Sequence, residues 1–483
     1  MSAPPPPPNA NASVDPIKQL RKEMGFWDVL LFNIAAVLGP RWIAAAAHNG
    51  TSSISLWILS ALVFFVPTAF VITELSTRFP HEGGLYVWSK EAFGDFHGFV
   101  AGWTYWIYSI FYFPGLLMAS AAMGAYIGGS NWGHLAQNRP FLLGGSLLLL
   151  LVAVGMNIVG LNIGKWLQNA GGVMTYIPLL LLVGTGIAVW LRFGSVTHFT
   201  WANIMPNWNW DTVNFWPQIL FAFAGLELVS AMSDEIRDAR RTIARAIWSS
   251  GILIAIIYIL GTFAVLIIMQ DAKVDPSSGV YQALAVGSEV LKIGLLGMIA
   301  AFLVTFGNAG GIGTTVAGIA RVPFIVGIDR YLPKAFGKVH PTWRTPYISI
   351  LVQGGLSLAL LLASNINETT SGAYQILVDA ATILYFIPFL YMYAAVIKLA
   401  GRPDRAADAR SVLIPGGKFG VWIAGGTGFV VTLGGIALSF VPPGSSSNKF
   451  LFTVKLVSGT VISVALGLIL YYRGARAKAR ESA

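Results

Sequence analysis

Three stretches of the chain carry groups able to handle a charged solute inside an apolar surrounding. The first reads Asn33-Ile34-Ala35-Ala36-Val37-Leu38-Gly39-Pro40-Arg41-Trp42. Pro40 lacks a backbone N–H and its ring clashes with the preceding turn. Gly39 loosens the backbone beside it, and Arg41 sets a fixed positive charge in an apolar run. A helix broken there bares backbone groups at Leu38, Gly39, Pro40 and Arg41, and the positive end of the second half-helix suits a carboxylate. The second stretch reads Phe221-Ala222-Phe223-Ala224-Gly225-Leu226-Glu227-Leu228. Gly225 and the ionisable Glu227 again sit mid-run, and freed carbonyls at Phe223, Ala224 and Gly225 suit an ammonium group. The third is Asp379, a second protonatable candidate that is equally well read as a helix cap. An Arg41–Glu227 ion pair is the structural alternative to a ligand site, and a simple kink is the alternative to each break.

Enzyme chemistry finds little here. The chain has no cysteine, and its six histidines at 48, 81, 97, 134, 198 and 340 are scattered near loops. No HExxH, nucleophile elbow or phosphate loop is present, so no catalytic residue, cofactor or metal site is expected.

The elements that must carry these groups are membrane helices. Apolar residues make up 55% of the 483 positions and charged residues only 11%, against about 25% in soluble domains. Continuous apolar runs of about 20 residues recur from end to end, each long enough to cross a bilayer as a helix. About twelve are predicted: Phe26 to Ala47, Ile54 to Phe79, Phe96 to Ile127, Phe141 to Val159, Trp166 to Leu191, Thr212 to Met232, Ile243 to Met269, Ile293 to Ile319, Pro346 to Ala363, Tyr374 to Leu399, Val421 to Phe440 and Leu451 to Tyr472. With twelve spans and both termini in the cytosol, 24 of the 31 lysines and arginines fall on cytosolic segments. That is the distribution expected of a multi-pass cell-membrane protein with its N and C termini inside. It also accounts for the net charge of +10 without nucleic acid as a partner. Trp201, Trp208, Trp210 and Trp216 suit an interfacial belt on the other side. The Asn-X-Ser/Thr patterns at Asn11, Asn49 and Asn367 are short enough to arise by chance.

The expected organisation is a proline-rich, disordered cytosolic arm over residues 1–22, a transporter domain over 23–472 and a basic tail over 473–483. Interruptions in the first and sixth spans are the pattern of two five-helix repeats of inverted topology, about 26–193 and 212–400, followed by two extra helices at about 416–472. The partners expected are the lipid bilayer and a small amino acid or amine; oligomeric state is not legible. A zwitterion presents both charges that paired helix breaks can hold.

Four stretches make the chain resemble the amino acid–polyamine–organocation superfamily. They are Glu74-Leu75 through Pro80, Gly83-Gly84 and Tyr86; Phe221 to Glu227 followed by Glu235-Ile236; Arg321, Asp329 and Pro333; and Val339-His340-Pro341 through Thr345-Pro346. Leu38-Gly39-Pro40-Arg41-Trp42 with Phe111-Tyr112-Phe113-Pro114 looks most like the glutamate/GABA-antiporter-like branch. The resemblance implies an all-α fold of the LeuT type, a five-plus-five inverted repeat and transport by alternating access. It implies that Gly39 meets the substrate carboxylate, that Phe221 caps bound substrate, that Gly225 unwinds the sixth span and that Glu227 serves proton coupling or gating. The chain departs from the family in three places. It has no Gly-Ser-Gly in the first span, it has Arg237-Asp238-Ala239 where relatives carry Lys-Asn-Pro, and it has no lysine near Met174-Thr175-Tyr176. The last favours exchange over one known form of proton coupling. Thr314 and Thr315 are possible sodium ligands, although hydroxyls at such positions more often bond to helix carbonyls.

Overall fold

The computed structural model describes residues 22–206, 210–276, 278–364, 370–402, 411–442 and 449–482. Most of the expected N-terminal arm, Trp208, Asn11 and Asn367 lie outside these segments. The described residues are helical, and the single strand-like pairing is an isolated bridge between Met24 and Ile236. Eleven helices are long and apolar enough to cross a membrane, and Tyr347–Ala363 adds a shorter apolar helix where the ninth span is expected. Each overlaps its predicted span, and most ends agree within a few residues; the eighth runs on to Ile328 and the twelfth to Arg480, past the predicted Ile319 and Tyr472. Connecting helices that the apolar pattern does not announce appear at Leu85–Phe93 and Gly279–Leu291.

Burial sorts the spans by position. Along their most apolar windows, the first, sixth and eighth spans are 78%, 89% and 94% buried, whereas the fourth, eleventh and twelfth are 28%, 33% and 22% buried. The first group forms the middle of the bundle. The second turns its large apolar side chains outward, including Leu148, Leu151, Phe419 and Val461, as lipid contact requires.

Close helix approach brings the core spans together. A Cβ built on Gly311 of the eighth span would lie 2.6 Å from the carbonyl oxygen of Ala35 in the first, so only glycine permits this contact. Both core helices that the sequence marks are broken. The first span divides into Phe26–Val37 and Pro40–His48; the sixth divides into Trp210–Phe223 and a 3-10 segment, Leu226–Glu235. The second span contains a π-helical turn at Ala61–Phe65.

The last helix, Lys449–Ser482, continues without interruption through the expected basic tail. Its end is strapped to the connection after the eighth span. Tyr471 stacks on Tyr331 at 5.0 Å between ring centroids, and Lys478 sits 4.8 Å over the same ring. Tyr331 donates in turn to Asp95 at 2.6 Å, at the start of the third span.

Candidate functional site

The two breaks have different local causes. In the first span, Leu38 (φ −70°, ψ 107°) and Gly39 (φ −118°, ψ 116°) are extended. Pro40 then opens the second half at a position where its missing N–H costs nothing. In the sixth span the helix stops at Phe223, and Gly225 takes φ +120°, a backbone region that side chains with a Cβ rarely enter. The breaks face each other: a Cβ on Gly225 would stand 2.9 Å from Cγ2 of Val37.

One hydroxyl serves both breaks. The phenol of Tyr258, on the seventh span Ala239–Ile268, accepts the Gly39 N–H at 3.2 Å. It lies 2.8 Å from the Val37 carbonyl and 3.2 Å from the Ala222 carbonyl, so its single proton is shared between an acceptor on each broken span.

The carboxylate of Glu227 secures the sixth break. It accepts the Gly225 N–H at 3.0 Å through Oε2, and the phenols of Tyr105 and Tyr385 at 2.9 Å and 2.5 Å through Oε1. These three partners satisfy the buried carboxyl group without a cation, and Arg41 is not among them. Arg41 instead donates to the Tyr112 hydroxyl at 2.5 Å, with its guanidinium carbon 4.3 Å and 4.9 Å from the Trp42 and Tyr112 ring centroids.

A narrow cleft, part of it open to solvent, lies against the first break. Leu38, Gly39, Pro40 and Arg41 line it, together with Tyr112, Ala119, Met123, Asn308 and Thr315. Arg41 is the one charged side chain among the lining residues. Phe221 stands directly behind this wall, its ring 5.7 Å from Trp42, 5.6 Å from Tyr112 and 5.2 Å from Tyr385. Phe223 points elsewhere, packing on Trp57 and Tyr258 at 5.4 Å and 5.7 Å. Phe223, Ala224, Gly225 and Glu227 are not among the residues that line the cleft. Asp379 is buried well inside its helix, Thr370–Leu399, and not at a terminus, so the capping alternative does not hold.

The cleft occupies one half of the bundle. Ala119 and Met123 belong to the far half of the third span, and Val304 to the early half of the eighth. The opposite half, where the first span begins, is sealed by backbone contacts. Gly83 N–H reaches the Ala231 carbonyl at 3.2 Å, Glu23 and Met24 N–H reach the Glu235 carbonyl at 3.0 Å and 3.2 Å, and Arg237 N–H reaches Met24 at 2.9 Å.

Sequence reasoning passes over Tyr105, Tyr258 and Tyr385, because a lone tyrosine in an apolar span reads as core. Tyr112 falls within a quoted motif but carries no site role there. Thr314 and Thr315 each donate to a helix carbonyl four residues back, at 2.9 Å, which is the ordinary behaviour of such hydroxyls.

A family model described as amino acid permease matches residues 24–464. An uncharacterized transporter of Legionella pneumophila is 27% identical over 92% of this chain and 95% of its own. The serine/threonine exchanger SteT of Bacillus subtilis is 27% identical over 81% of this chain and 86% of its own. The probable agmatine/putrescine antiporter AguD of Lactococcus lactis is 24% identical over 66% and 67%. Among solved structures, MhsT in complex with L-phenylalanine superposes with a TM-score of 0.62 at 12% identity, covering 88% of this chain and 98% of that one. The fold is therefore that of the LeuT-type transporters.

Proposed function

The chain belongs to the amino acid permease family, and on that premise we propose that it is a secondary active transporter of amino acids bearing a second carboxylate or a distal one, such as glutamate and GABA. It works by alternating access in the cell membrane, with both termini in the cytosol. The observation that carries the reading is Arg41 in the cleft wall beside extended backbone at Leu38 and Gly39. A guanidinium there offers a planar fork to a carboxylate. The second half-helix begins at Pro40 and adds the positive end of its dipole. Phe221 swings over the bound solute from the far side and excludes water. Carbonyls at Phe223, Ala224 and Gly225 receive the ammonium once the sixth span moves toward the cleft. Glu227, with Tyr105 and Tyr385, forms the floor that must part before release, and Asp379 is a second protonatable group in the same region. Exchange is favoured over a one-way cycle, in keeping with the antiporter and exchanger names of two relatives and with the glutamate/GABA-antiporter-like branch.

A polyamine substrate is the competing reading, since AguD is named for agmatine and putrescine. A fixed cation in the cleft wall disfavours a ligand that is only cationic. Proteoliposomes preloaded with glutamate, GABA, serine, arginine or putrescine decide between them. Counterflow is expected with glutamate or GABA; counterflow with putrescine alone supports the competing reading, and none with any amino acid overturns the proposal.

A further inference from the structure

Beneath the sealed face lies a charge cluster that the substrate site does not use. Glu82, in the connection after the second span, Glu235, at the end of the sixth, and Arg321, at the bend of the eighth, are all buried. Arg321 is fully committed elsewhere: its Nε and Nη2 hold the two oxygens of Glu235 at 2.7 Å and 3.2 Å, and its Nη1 holds the Ala317 carbonyl at 2.5 Å. The nearest approach to Glu82 is 3.9 Å, from Nε to Oε1. Oε1 of Glu82 has no hydrogen-bond donor. Its other oxygen accepts the Asp234 N–H at 3.2 Å, and its own N–H reaches the Asp234 carboxylate at 3.0 Å. Two buried carboxylates thus share one guanidinium, which holds Glu235 closely and Glu82 only at 3.9 Å, while Asp234 lies on the other side of Glu82.

The remaining charges nearby are accounted for. His81 is exposed on the same turn, and Glu23 reaches the cluster through its backbone N–H. Lys90, Asp95 and Asp329 form a separate group with Tyr86, where Lys90 lies 2.5 Å from Asp329 and 3.5 Å from Asp95. Among the described residues no second cation comes forward for Glu82.

We propose that Glu82 is a proton-binding site whose occupancy seals the cytosolic face, so that closing that face takes up one proton and opening it releases one. The proton adds to the Glu82 carboxylate as the connection docks on the sixth and eighth spans. Burial first, and then the charges of Glu235 and Asp234, push the Glu82 carboxyl well above its usual range, against the opposing pull of Arg321. Ionisation leaves a buried anion between two others with only the distant guanidinium of Arg321 to offset it, and separating the connection from the sixth span relieves it. The proposal rests on the alternating-access reading only for naming the movement; Glu82 touches no part of the cleft.

The test needs no substrate, so its failure is distinct from a wrong substrate assignment. The chain has no cysteine, and Ser230→Cys places a single thiol under the seal, where Gly84 covers it at 2.6 Å from a built Cβ to Oγ. Ala119→Cys reports on the cleft. In the purified protein, with every N-ethylmaleimide rate divided by that of a free thiol at the same pH because the thiolate is the reacting form, labelling at position 230 is expected to speed up with pH, by up to about tenfold per pH unit for one linked proton, while labelling at 119 slows. In Glu82→Gln the site at 230 stays slow at every pH. Asp234→Asn keeps Glu82 and moves the midpoint to lower pH, which carries the test should Glu82→Gln not fold. The same pH dependence in Glu82→Gln as in the parent, none in the parent, or an unmoved midpoint in Asp234→Asn overturns the proposal.

Discussion

Gly39, in the gap of the first span, gives its N–H to the phenol of Tyr258 on the seventh span at 3.2 Å. That one oxygen also faces the Val37 carbonyl. Removing it by Tyr258→Phe leaves a buried donor and a buried acceptor unmatched, at a cost of about 1–3 kcal/mol. A drop in thermal unfolding temperature in detergent is the expected outcome. The Gly39 N–H is also released to any carboxylate in the cleft, so binding of an accepted amino acid should tighten while stability falls. An unchanged unfolding temperature would deny Tyr258 this role.

Arg41→Ala is expected to raise the half-saturating concentration of glutamate roughly ten- to a hundredfold, the worth of one charge-assisted contact. Arg41→Lys should recover only part, because a point charge lacks the planar fork. Serine exchange, if present, should change little. Uniform loss across all substrates would assign Arg41 to the wall's architecture rather than to recognition.

Tyr385→Phe removes one of the three donors on Glu227 and keeps the ring stack with Tyr105 at 5.7 Å. Loss of a hydrogen bond to a charged acceptor shifts the balance of conformations by about 1.5–3 kcal/mol. The floor should open more often, seen as faster labelling of Ser230→Cys with no change in substrate selectivity.

Gly225→Ala places a Cβ at φ +120° and 2.9 Å from Val37. The backbone part costs about 1–3 kcal/mol. Val37→Ala removes the contact but not the torsion, so the double variant should regain only part of the lost stability in a denaturation series.

Stability should also follow pH through Glu82. Its carboxyl is raised in the folded protein, so the folded chain holds the proton more tightly than the unfolded one. The contribution is complete below the unfolded value and is lost as pH rises through the folded one, with a slope of at most about 1.4 kcal/mol per unit. Unfolding temperatures recorded from pH 4 to 8 (roughly the carboxyl-to-neutral range) should decline, and Glu82→Gln should flatten that decline.

Much of this architecture is written in residue type. Pro40 cannot continue a helix, and Gly225 beside an ionisable group marks a second interruption, so both breaks are legible from composition along the chain. Most span ends follow hydropathy to within a few residues, the ends of the eighth and twelfth excepted. What escapes is partnership across the fold. Tyr258, Tyr105 and Tyr385 are ordinary span tyrosines until packing sets them against groups more than 30 positions away, and nothing local says which face each presents. The expected alternative of an Arg41–Glu227 pair fails for the same reason: two opposite charges in apolar runs invite pairing, yet phenols satisfied the anion first. The basic stretch after Tyr472 reads as a tail because hydropathy falls, although the helix runs on.

That final helix is about 51 Å long at 1.5 Å per residue over its 34 residues, well beyond the hydrocarbon thickness. Its C-terminal end is bolted through Lys478 and Tyr471 to Tyr331, and from there to the root of the third span. The tie at this end makes the tilt of the peripheral helix and the position of the eighth-to-ninth connection one mechanical unit.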